Sequence, residues 1–135
     1  RKPDRVKLLR EGRAVAAGKV PLPVVLGVAG ETLDAWLLAD EQAIGRALEL
    51  VPPPACSGPD PESLHGPPGT EEHPKVRLAH LLARNGNETR NNQSRIEAIA
   101  QEADVAVVER RCPKGFGSYA EETRDRLAPI FRRHR

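Results

Sequence analysis

Val24-Val-Leu-Gly-Val-Ala-Gly-Glu-Thr-Leu-Asp-Ala-Trp-Leu-Leu-Ala-Asp40 is the stretch on which the reading of the fold turns. Its opening, Val24 to Ala29, is a short apolar run rich in valine, set between Pro23 and Gly30. An uninterrupted apolar run of this kind suits a strand covered on both faces, so a buried parallel strand is expected. Beyond Gly30 the period changes. Leu33, Trp36, Leu37, Ile44, Ala47 and Leu48 recur at helical spacing and form one stripe. Asp40 falls on the same stripe, where an unpaired carboxylate would be costly. It is read as a break in the helix, acting as N-cap of a second helix from Glu41.

Upstream, Val6, Leu8, Leu9, Val15 and Ala16 suggest an amphipathic helix over residues 4–17, ended by Gly18. Helix, buried strand and helix is the rhythm of an α/β sheet. Downstream, residues 51–74 carry Pro52, Pro53, Pro54, Pro59, Pro61, Pro67, Pro68 and Pro74 with Gly58, Gly66 and Gly69. That composition predicts an extended, mobile loop. A helix is expected over 76–83 with Leu78, Leu81 and Leu82 inward, then a polar, turn-prone stretch over 85–92. Another follows over 95–103 with Ile96, Ile99, Ala100 and Ala103 inward. Val105 to Val108 is a short apolar piece, and Cys112 to Gly117 a turn. Ser118 is expected to cap a last helix, with Glu121 completing the capping box. That helix would bury Tyr119, Thr123, Leu127, Ile130 and Phe131. The organisation is thus a helix-strand-helix α/β portion over 1–50, a Pro/Gly-rich loop over 51–74 and a helical portion over 75–135. One strand cannot make a sheet, so the rest of the sheet is expected upstream or from elsewhere.

The chain has 135 residues, which fits one domain. With 39% hydrophobic and 30% charged residues it belongs among globular chains, and 3% aromatics leaves an aliphatic core. Its 21 basic and 19 acidic residues are too balanced for nucleic-acid binding by bulk charge. Two cysteines, Cys56 and Cys112, without a CxxC spacing argue against a disulfide framework or zinc site and suit a reducing cytoplasm. No apolar run is long enough to cross a bilayer, and no secretory signal is visible. The start at Arg1, without methionine, points to a fragment or to removal of an upstream segment.

Gly27-Val-Ala-Gly-Glu-Thr-Leu-Asp-Ala-Trp-Leu-Leu-Ala-Asp40 resembles a bacterial family of TOPRIM-like proteins of unknown function, marked by a buried strand followed by E-A-W-L-L-A-D. Pro74-Lys75 opening a leucine-paired helix, the polar stretch before Arg95-Ile96, and Arg111-Cys112-Pro113 with Phe116 are similar to further segments of that family. The match covers residues 4 to 131. It implies an α/β, TOPRIM-like fragment with few parallel strands and a mostly helical C-terminal half. It also implies Mg²⁺-dependent, nuclease-like processing of nucleic acid in a setting of phage defence, with an ATPase partner protein and no membrane association. The chain departs from the family in having Asp34 for the usual Glu and Lys114-Gly115 between Cys-Pro and Phe. The family's principal metal carboxylates would lie upstream of Arg1-Lys-Pro-Asp-Arg5. The other class of function is a non-catalytic α/β module that binds a protein.

Glu31 and Asp34, three apart at a helix start, can share a face and join Asp40 as candidate metal carboxylates, since hard cations take clustered oxygen ligands. Acidic residues also favour a helix N-terminus through its dipole, and Asp40 suits a cap. Lys75 opens a helix where free amides and its ammonium could meet a phosphate. Arg110, Arg111 and Lys114 form a small basic cluster that could contact a nucleic-acid backbone, or a solvated face. Trp36 is read as core. Cys112 lies near basic residues that could lower its pKa, yet no base neighbours it in sequence, so it is taken as structural.

Overall fold

The computed structural model describes residues 4–19, 23–27, 33–55, 58, 60–64, 66–84 and 92–132. Regular structure within them is helical: α1 (Arg5–Ala17), α2 (Asp34–Leu37), α3 (Glu41–Leu48), α4 (Pro74–Ala83), α5 (Asn92–Glu102), α6 (Val105–Arg111), α7 (Ser118–Arg126) and α8 (Ala128–Arg132). A 3₁₀ turn at Pro61–Ser63 and a π-helical turn at Pro113–Gly117 complete the set.

The expected α/β class, with few parallel strands, is therefore corrected: among the described residues there is no strand. Residues 23–27 are irregular, and Val24 is 37% exposed. The amide of Leu26 donates to the side chain of Glu122 at 3.1 Å. An apolar run becomes a strand only where a neighbouring strand takes its amides and carbonyls. Here that partner role falls to a carboxylate on α7. Val28 and Ala29 lie outside the described residues.

The break at Asp40 is present. Its Oδ1 accepts from the Ala43 amide at 3.0 Å and caps α3. The break also sorts the stripe between two cores. Leu38 joins Ile44, Leu48, Leu78, Leu81, Leu82 and Ile99 in the larger one. Ala39, the next residue, joins Val108 and Cys112 in a smaller one, with Trp36, Ala103 and Phe116 against it. α3 lies along α5 and α2 against α4, so the first and last thirds of the sequence share one interior. Inside α3, Gly45 is buried and an added Cβ would stand 3.1 Å from Pro53 Cβ, so glycine lets the chain after the helix fold back over it. The proline-rich stretch is thereby partly packed: Pro61 and Pro74 are buried.

Two details of the C-terminal half depart from expectation. Val105 to Val108 is the start of α6, capped by Asp104, whose carboxylate accepts from the Ala106 amide at 2.8 Å. Ser118 does not cap: α7 continues from the π turn with Gly117 already helical and no side-chain cap. Its buried residue is Ala120, whereas Tyr119 and Ile130 are 37% exposed and Phe131 71% exposed. The helix also breaks at Leu127, so the single apolar face expected across both parts never forms.

Candidate functional site

The densest polar arrangement is built around Glu62, which is only 7% exposed. Asp60 precedes it with a short turn, its carboxylate accepting from the Glu62 amide at 3.0 Å. That turn directs the Glu62 carboxylate into the π turn. Its Oε1 accepts from the Gly115 amide at 2.8 Å, the Phe116 amide at 3.2 Å and Trp36 Nε1 at 3.1 Å. Its Oε2 accepts from the Lys114 amide at 2.9 Å. Successive amides aimed at one anion form a nest for charge. The nest is filled by the protein's own carboxylate, so Glu62 acts as a clasp between the 3₁₀ turn, the π turn and Trp36.

Trp36 extends the clasp. Its ring meets Phe116 edge-on at 5.3 Å and lies nearly parallel to Tyr119 at 6.5 Å. Tyr119 in turn covers Gly27. Beneath them Cys112 is fully buried. Burial pushes its thiol up to about 12, helped by the charges of Glu62 and Asp60 and opposed by Arg111. The basic neighbours therefore do not activate it, and the thiol is a packing group.

A cleft of about 530 Å³ lies between α1 and α7, with Val6, Leu9, Arg13 and Leu26 among its walls. Glu122 organises it. Besides the Leu26 amide it pairs with Arg13 of α1 and, at 2.9 Å, with Arg126. Burial raises its pKa, but the Leu26 amide, the hydrogen bond and charge of Arg13 and the charge of Arg126 outweigh that, holding the carboxyl below its ordinary range.

The residues singled out from sequence do not converge. Glu31 lies outside the described residues. Asp34 opens α2 and is half-buried. Asp40 is buried with both oxygens engaged, Oδ1 on Ala43 and Oδ2 on the Asp104 amide at 3.0 Å. Among the described residues no three His, Cys, Asp or Glu side chains gather to hold a metal. Lys75 is exposed, and its amide is taken by His73 Nδ1 at 3.2 Å, which caps α4. The basic cluster is divided. Arg110 is exposed. Arg111 turns inward, donating to the Ala39 carbonyl at 2.8 Å and to the Gly58 carbonyl. Lys114 reaches Asp60 at 3.8 Å.

Glu62 and Glu122 were not legible as functional or structural centres. Asp60-Pro61-Glu62 reads as a local turn, and the partners of Glu62, like Arg13 and Leu26 for Glu122, are far away in sequence. No helix of the described residues is long and apolar enough to cross a membrane. Comparison with protein-family models, curated proteins and solved structures finds no match.

Proposed function

We propose that the chain is a helical protein-interaction module whose docking element is α1. The observation that carries this reading is the state of that helix. None of its residues is buried, and Leu8 and Val15 are 54% and 63% exposed. A short helix has little stability of its own and normally draws it from packing. This one keeps a capped start, with Asp4 accepting from Val6 and Lys7, and a tether through Arg13 to Glu122. It is thus held in place while apolar side chains remain available to a partner. The engagement of Asp40 and Arg111 in structure favours this reading over metal-dependent processing of nucleic acid, with its ATPase partner, because both are occupied by backbone groups. A cytoplasmic setting belongs to the same proposal, Cys112 being a buried free thiol.

Site-specific photocrosslinking in the cell of origin tests it. Leu8→benzoylphenylalanine is expected to give a discrete protein adduct, and the same replacement at the exposed Gln101 to give none. Equal adducts from both positions, or none from position 8, would defeat the proposal. So would micromolar Mg²⁺ binding that disappears in Asp34→Asn.

A further inference from the structure

Resting on the reading of α1 as a docking helix, we infer that its partner is an acidic protein surface. The contact would be a short apolar patch with a carboxylate near each end, met by the stripe Arg5–Leu8–Gly12–Val15–Lys19.

Three observations converge on this stripe. The first is spacing. Positions 5, 8, 12 and 15 alternate by three and four, so they line one side of α1, and Lys19 follows one residue past its C-cap Gly18, its amide donating to the Ala16 carbonyl at 2.9 Å. The middle is apolar or small and both ends are cationic. From Arg5 to Val15 the stripe runs about 15 Å at helical rise, with Lys19 just past the helix end. The side facing the protein is a different one, carrying Val6, Leu9 and Arg13 toward the cleft.

The second is charge. α1 holds Arg5, Lys7, Arg10 and Arg13 against Glu11 alone, with Asp4 engaged in the cap and Lys19 just beyond. Glu11 lies 4.0 Å from Lys7, and Arg13 pairs with Glu122. Arg5, Arg10 and Lys19 make no ion pair among the described residues. A second copy of the chain would set this cationic helix against itself, which like-charge repulsion disfavours. An acidic counterpart matches it at both ends.

The third is Gly12. Glycine weakens a helix interior relative to alanine, so it needs a reason. Among the described residues there is none: a Cβ added at Gly12 would meet nothing within 4 Å. A glycine between two exposed apolar residues on an outward face suits close approach by another backbone.

The probe is a pair of designed helical peptides. One carries Glu, Leu, Ala, Leu and Glu at the same three-four spacing, and the other has Lys in place of both Glu. Binding to the whole chain is followed by fluorescence anisotropy. The acidic peptide is expected to bind at least 10-fold tighter than the lysine peptide, and at least 10-fold weaker in 0.5 M than in 0.05 M NaCl. Gly12→Leu is expected to weaken it at least 10-fold with helicity unchanged by circular dichroism. Gly12→Ala, which a helix tolerates better than glycine, serves as the second variant and is expected to weaken binding while raising Tm. Equal binding of the two peptides, binding of neither, or indifference to both Gly12 variants overturns the inference. Two other outcomes also overturn it: partition onto vesicles of 70% phosphatidylcholine and 30% phosphatidylserine, and a concentration-dependent dimer lost in Gly12→Leu. A discrete position-8 adduct alongside charge-indifferent peptides would sink the acidic partner alone, whereas loss of that adduct sinks the docking helix as well.

Discussion

Asp40 shows how one buried carboxylate can serve two elements. Its Oδ1 caps α3 through Ala43, and its Oδ2 accepts the amide that precedes α6 at Asp104. Asparagine is as good a cap as aspartate, but its amide nitrogen cannot accept a hydrogen bond. Asp40→Asn is therefore expected to keep α3 and lose the tie to Asp104, costing about 1–3 kcal/mol for a donor left unsatisfied. Urea denaturation would measure it, and an unchanged midpoint would mean the tie contributes nothing. Glu62 follows the same logic at larger scale, since four donors converge on it. Cys112 illustrates the opposite effect, in which burial outweighs a nearby cation and silences a reactive group.

At the level of elements, helix ends decide more than helix interiors. α3 terminates with Glu49 at a φ of 55°, a left-handed residue that lets the Leu50 amide return to the Gly45 carbonyl at 2.9 Å. Only glycine adopts that conformation without a steric cost. Glu49→Gly is accordingly expected to stabilise the protein by about 0.5–1 kcal/mol. Thermal unfolding followed by circular dichroism is the check, and a lowered Tm would count against the assigned C-cap. α3 and α5 enclose the larger core, whereas α1, like α8, buries no residue.

Across the whole molecule, Glu122 joins parts that share no core. It connects α1 through Arg13 and residues 23–27 through Leu26 to α7. Its carboxyl is held below the ordinary value of 4.5, so the unfolded chain binds its proton first as pH falls. The stabilisation is fully present above 4.5 and is lost as pH drops through the lower, folded value. Glu109, held down by the hydrogen bond and then the charge of Arg124, titrates in the same direction, so a comparison with Glu122→Gln is needed to isolate the cleft. The hydrogen-exchange protection factor of α1, which is the rate corrected for the intrinsic pH dependence of amide exchange, is expected to fall in the native protein as pH drops below 4.5 toward 3. In Glu122→Gln protection should be low throughout; matching profiles would remove Glu122 from that role. The sequence by itself determined the helices with strong local causes: the stripe broken at Asp40, the leucines of α4, the isoleucines of α5, and Gly18 closing α1. These rest on periodicity and caps, which neighbouring residues supply. It misread Val24 to Gly27, because an apolar run becomes a strand only beside another strand, and the partner found for Leu26 is a side chain 96 positions away. The tertiary structure alone decided that the Asp40 and Glu62 carboxylates serve backbone amides, that Arg111 turns inward, and that α1 faces outward. Each depends on which distant groups come together, a long-range outcome that local spacing does not encode.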